Sequence, residues 1–254
     1  MRGIIFLVAL AVFGTTFGQE SPKTIHVYVA LCDNVNQGIV PVPAKLGNGQ
    51  DPKNNLYWGA MYGVKGHFNR SNSWQLIKTQ ANPQEGILER LLFKHRTEEV
   101  YLLADAYDGA KIKQTTIDFL EAAAGCNGQN VALEGKTLKF AGGADLVAYI
   151  GHDGLMEFNV TGNFVSKSKQ EKQAIILACI SKDFFAPYLR DTKANPLVWT
   201  TGLMAPEAYT LEAALDGWVL NESDAQIRER AAAAYHKYQK CGMRGARNLL
   251  VTGY

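Results

Sequence analysis

The chain has 254 residues, of which 47% are hydrophobic and 20% charged, with a formal net charge of +2. That balance supports a buried core and excludes a charge-rich disordered chain. Its basic residues fall in small scattered clusters, so no nucleic-acid partner is expected.

Residues 1–18 read as a secretory signal. Arg2 supplies the positive start, Ile4 to Phe13 the apolar run, and Gly14-Thr-Thr-Phe-Gly18 the small-residue cleavage zone. The expectation is a secreted or periplasmic protein whose residues 19–254 form a single domain. The apolar run is shorter than the roughly 20 residues of a membrane-spanning helix, and no comparable run follows. Export permits disulfides, and Cys32, Cys126, Cys179 and Cys241 allow three complete pairings. A Cys126–Cys241 bridge would leave Cys32 and Cys179 free. There is no Cys-x-x-Cys and no Cys/His cluster, so neither a metal nor another cofactor is expected.

Ile25 to Leu31 is a β-branched and aromatic run that predicts a first strand buried on both faces. Asn34 to Asn55, with three prolines, predicts a long loop of the kind that is usually functional or mobile. A short helix is expected within Leu56–Val64, a short strand at Gln75–Thr79, and a helix from Pro83 to His95 on the spacing of Ile87, Leu88, Leu91 and Leu92. Val100–Ala104 predicts a strand closed by Asp105 to Gly109, and Lys111–Ala124 an amphipathic helix ended by Gly125. Asn127–Gly143 reads as a surface excursion, Leu155–Val165 as a small hairpin, and Lys182–Asp191 as a helix despite Pro187. Pro196–Thr201 predicts a last strand, followed by helices to Trp218 and over Asp224–Lys240. Strands alternating with helices of this length predict an α/β fold, a doubly wound and mostly parallel sheet flanked by helices.

Two apolar strand blocks each end in a reactive residue: Leu146-Val-Ala-Tyr-Ile-Gly-His152-Asp-Gly154 and Gln173-Ala-Ile-Ile-Leu-Ala-Cys179-Ile-Ser181. Residues just past the carboxyl ends of strands in such a sheet face the crevice where ligands bind. An imidazole within reach of a thiol there can generate a thiolate nucleophile. This order, with an apolar block ending in His followed closely by Gly and a second ending in Ala-Cys, resembles the caspase-like cysteine peptidases, a group that includes legumain, clostripain and the gingipains. The resemblance implies a caspase-like three-layer sandwich, Cys179 as nucleophile, His152 as acid/base, and peptide or protein substrates. It also implies an oxyanion site on a backbone amide after the histidine. Here that amide belongs to Asp153 or Gly154, because His152-Asp153-Gly154 is one residue longer than His-Gly.

Asp33 and Asp105 are read as strand-end carboxylates that could bind a basic substrate group, beside the ordinary role of Asp in ending strands. The expected function is a secreted caspase-like cysteine peptidase. The alternative is a non-catalytic exported binding module or inactive peptidase homologue, which the extra Asp153 favours.

Overall fold

The computed structural model describes residues 21–168 and 171–254, so the signal-like segment 1–18 lies outside the described residues. The first strand, β1 (Lys23–Ala30), is buried from Thr24 onward, as its β-branched composition requires. A long loop then leads to α1 (Val64–Phe68), and the chain continues through β2 (Trp74–Gln84), β3 (Ile87–His95) and β4 (Val100–Tyr107). Next come α2 (Ile112–Ala123), a hairpin of β5 (Gln129–Leu133) and β6 (Lys136–Phe140), then β7 (Leu146–Ile150) and β8 (Gln173–Leu177). The remainder is α3 (Ser181–Thr192), β9 (Asn195–Thr200), α4 (Ala208–Val219), α5 (Asp224–Gln239), α6 (Met243–Leu249) and β10 (Leu250–Val251).

Eight strands form one sheet in the order β10-β9-β8-β7-β1-β4-β3-β2. The run from β9 to β4 is parallel throughout, while β10, β3 and β2 are antiparallel additions at the edges. Alternation along β1 sends Ile25, Val27 and Val29 to a core shared with α4 and α5, and Tyr28 to a second core shared with α2 and α3. The result is an α/β three-layer sandwich with the sheet in the middle. Each fully buried aliphatic or aromatic side chain in these layers contributes about 1.5–3 kcal/mol, opposed by the entropy of ordering it. Among the described residues no helix is long and apolar enough to cross a membrane.

Five sequence expectations are corrected. Residues 56–63, expected as a short helix, are a run of turns, and α1 starts only at Val64. Residues 83–95 are not a helix. Gly86 (φ +80°) sits in the Glu85-Gly86 turn, and Ile87 to His95 runs back as β3 between β2 and β4. The pattern Ile87-Leu88-Glu-Arg-Leu91-Leu92-Phe93 carries both periods, and only pairing with the buried β4 resolves it: Leu91 and Phe93 face one layer, Leu92 the other. Residues 155–165 form a 3-10 turn at Gly154–Met156 and then irregular chain rather than a hairpin. The strand begun at Val100 runs on to Tyr107, so Asp105 lies inside it. The last strand is β10, which pairs antiparallel with β9.

The strand order fixes where a ligand crevice forms. From β1 the chain crosses to β2 at the far edge and returns through β3 to β4 beside β1, then passes to β7 on the other side of β1 and winds outward through β8 and β9, so the carboxyl ends of β1 and β7 flank a topological switch point. The segments after β1, β7 and β8 carry Cys32-Asp33, His152-Asp153 and Cys179.

Candidate functional site

Ile150 and Leu177 are the last registered pair of β7 and β8. His152 and Cys179 each follow that pair by two residues, so they leave neighbouring parallel strands at the same level, on strands about 4.8 Å apart. Gly151 makes the exit from β7 with φ +148°, a conformation that favours glycine, while its N–H still donates to Leu177 O at 3.2 Å.

The His152 side chain is 10% exposed, and its Nε2 lies 2.5 Å from Glu157 Oε1. A carboxylate only accepts hydrogen bonds, so Nε2 carries the proton and Nδ1 is left as the basic nitrogen. Glu157 Oε1 also accepts the Gly38 N–H at 2.8 Å, which ties the histidine to the long loop after β1. Gly38 is required for this approach, because a Cβ there would lie 2.2 Å from that oxygen.

Cys179 is half-buried and its sulfur accepts the Met204 N–H at 3.3 Å. The sulfur and the His152 ring are thus held by separate partners, without a direct hydrogen bond between them. Immediately after the cysteine, Ile180 has φ +50° and ψ +30°, left-handed geometry that is strained for a β-branched residue and makes the turn from β8 into α3 sharp. The Ile180 N–H is taken by Gly202 O and the Ser181 N–H by Thr200 Oγ1. Among the described residues, the amides of Asp153, Gly154 and Cys179 make no hydrogen bond, and they bracket the space between the two strand ends.

The four cysteines are all unpaired. Cys32 is fully buried, and burial pushes its thiol up to about 11, with Asp33 adding to the shift and a hydrogen bond with Tyr57 opposing it. Asn55 pins the backbone there: its Oδ1 accepts the Cys32 N–H at 3.0 Å and its Nδ2 donates to Cys32 O at 2.8 Å. Cys32 is therefore a small buried apolar group, chemically unlike Cys179.

Neither Asp33 nor Asp105 offers a free carboxylate to the crevice. Asp33 accepts hydrogen bonds from the Val35 and Asn36 amides, Asn36 Nδ2 and Gln50 Nε2. Burial raises its carboxyl, but these bonds outweigh it and hold the group below the usual carboxylate range. Asp105 points from the middle of β4 toward the α2 layer, where Arg90 grips it with Nε at 2.6 Å and Nη2 at 2.7 Å, and His26 Nε2 lies 3.0 Å away.

Asp153, the residue that lengthens the His-Gly step, is fully buried. Its Oδ1 accepts the Leu155 N–H at 3.0 Å, while its Oδ2 has no partner among the described residues. Burial pushes this carboxyl up to about 7, opposed by the Leu155 hydrogen bond and assisted by the nearby Glu157 charge. Because the unfolded carboxyl titrates near about 4, folding binds a proton between that value and 7. Its contribution is present below pH 4 and is lost as the pH rises through 7. Asp153→Asn is expected to be more stable than wild type at pH 8 by about 1–3 kcal/mol and to lose that advantage at pH 4.5. Urea titrations of both proteins at the two pH values check this, and an advantage that does not change with pH would contradict it.

Glu157, Asn55 and the Met204 amide were not legible as site residues, since each reaches the crevice through a contact distant in sequence or through an irregular segment. The five-residue step from His152 to Glu157 carries no periodic signal. Among the described residues no group of three His, Cys, Asp or Glu side chains is gathered as metal ligands would be. No family model, curated protein or solved structure matches the chain.

Proposed function

We propose that the protein is an exported caspase-like cysteine peptidase in which Cys179 is the nucleophile and His152 the acid/base. The observation that carries this reading is the level exit of His152 and Cys179 from adjacent parallel strands beside the switch point, with unengaged amides on both sides. Glu157 is a positioning residue. It holds the proton on Nε2 and so leaves Nδ1 to face the thiol chemistry.

In this mechanism His152 Nδ1 takes the Cys179 proton as the sulfur attacks the substrate carbonyl. The developing oxyanion is received by the Cys179 amide and by an amide at Asp153 or Gly154. His152 then returns the proton to the departing amine as the C–N bond breaks, leaving a thioester on Cys179. Water, deprotonated by the same nitrogen, attacks the thioester and releases the acid product. The two side chains, which share no hydrogen bond among the described residues, must come within reach in the substrate complex, since unliganded catalytic geometry is often looser than the reacting one. The protonated form of Asp153, which burial favours below about pH 7, suits this chemistry, because a buried negative charge beside the oxyanion amides would oppose the charge they must hold. Asp33 is occupied within its own loop, so a basic side chain before the cut bond is not favoured by that residue.

The test is a mixed peptide library incubated with the reduced protein, before and after limited proteolysis, with cleavage products read by mass spectrometry. Cleavage by wild type that falls at least 100-fold in His152→Ala is expected, a loss of the size general acid–base catalysis contributes, about 10²–10⁴-fold. Absence of cleavage in every arm would overturn the peptidase reading in favour of a binding module.

A further inference from the structure

The face of the sheet that carries α2 holds a second polar site, independent of the strand-end crevice. A cleft of about 400 Å³ opens there between α2 and the β5–β6 hairpin, over the middle of β1, β4 and β3. Its floor is made of His26, Tyr28, Arg90, Asp105 and Tyr107, none more than 6% exposed, on a sheet face that also carries the apolar Leu92, Leu103 and Val147 and the ring of Tyr149. Burying charge in this layer costs more than packing apolar residues of the same volume, so stability alone does not account for it.

The floor is rigid. Asp105 accepts from Arg90 and from His26 Nε2, and His26 Nδ1 accepts the Ala141 N–H at 3.0 Å. Ala141 delivers that N–H from a left-handed backbone (φ +51°), strain that a surface hairpin exit would not otherwise need. Burial lowers the Arg90 guanidinium, but its bonds to Asp105 outweigh this and raise it, so it stays charged. With Nε and Nη2 committed to Asp105, Arg90 Nη1 makes no hydrogen bond among the described residues, and Arg90 lines the cleft. That nitrogen is open to the cleft and has no protein acceptor among the described residues.

The rim supplies groups of the opposite kind. Asp118 and Glu121 are acceptors, while Gln84 and Gln129 offer amides that donate and accept. Arg90 is the lone Lys or Arg of the lining, against Asp105, Asp118 and Glu121, so the cleft repels anions. The acids are held in place, Asp118 by the Tyr107 hydroxyl at 2.8 Å and Glu121 by Asn127 Nδ2 at 2.5 Å, so each presents oriented acceptor lone pairs to the cleft, and the cation probe below is the competing outcome. A neutral ligand bearing hydroxyl groups uses both sets, because each hydroxyl donates one hydrogen bond and accepts others. The volume is that of a small-molecule pocket.

We infer that this cleft binds a saccharide, with Arg90 Nη1 donating to one ring or hydroxyl oxygen and Asp118 and Glu121 accepting from others. The inference does not rest on the Cys179 chemistry. Its test is isothermal titration and saturation-transfer NMR with methyl glycosides of glucose, galactose, mannose and N-acetylglucosamine. Inorganic phosphate and spermidine serve as the anion and cation probes. At least one glycoside is expected to bind saturably, with affinity falling about tenfold or more in Glu121→Ala and in Gln129→Ala. These two rim variants leave the Arg90–Asp105 pair intact and so keep the fold, and Cys179→Ala is expected to bind as wild type does. Binding of no glycoside, glycoside binding undiminished in both rim variants, or binding confined to phosphate or spermidine would each overturn the inference.

Discussion

Cys179→Ala is expected to lower kcat/KM for peptide cleavage by about 10⁴-fold or more, the scale on which loss of a covalent nucleophile is felt. Nothing else at the site should change as much. The thiol makes two weak hydrogen bonds, accepting the Met204 N–H and donating to Met204 O, so its removal costs about 1–2 kcal/mol of stability. Peptide affinity should persist, because the thiol acts after binding. Parallel measurements of turnover, thermal unfolding and peptide binding separate these effects. Retained turnover in a folded variant would remove Cys179 from the chemistry, whereas lost turnover with lost folding would require Cys179→Ser to decide.

The second large effect is on stability and lies away from the crevice. Arg90→Ala or Asp105→Ala is expected to destabilise the fold by about 3–5 kcal/mol, because each leaves an uncompensated charge buried in the α2 layer. Burial raises the Asp105 carboxyl but its Arg90 and His26 partners outweigh this and hold it low, so its stabilising contribution is lost as the pH falls through that lowered value. The double variant Arg90→Met/Asp105→Leu should recover most of the loss, since apolar residues of similar volume replace a buried pair at little cost. Urea denaturation of the three proteins checks the ordering. Single variants within about 0.5 kcal/mol of wild type would show that water reaches the pair and that the cleft floor is not rigid.

The sequence carried the central strands well because their signal is local. β1, β7, β8 and β9 are short apolar runs bounded by polar turns, and the helices at 112–123, 181–192 and 224–239 have strong periodicity or clear ends. The His152 and Cys179 strand ends followed directly from those runs. What stayed hidden depends on partners distant in sequence. The β2–β3 hairpin was ambiguous because residues 87–93 satisfy both periods until β4 is placed beside them. Arg90 fell within a stretch expected as helix and Asp105 at an expected strand end, and only the sheet register reveals that they meet in the interior. Glu157 and Asn55 reach the site from irregular chain, where side-chain hydrogen bonding rather than periodicity decides the geometry.

The central claim is that His152 activates Cys179. Alkylation of Cys179 by iodoacetamide at pH 7, followed by peptide mapping in wild type and His152→Ala, tests it directly, because the rate follows the thiolate fraction. Mapping is needed because Cys126 and Cys241 are more accessible than Cys32 and react independently of the histidine. The predicted result is a Cys179 rate at least tenfold higher in wild type than in His152→Ala, with Cys126 and Cys241 unchanged and Cys32 slow in both. Equal Cys179 rates in the two proteins would contradict the account.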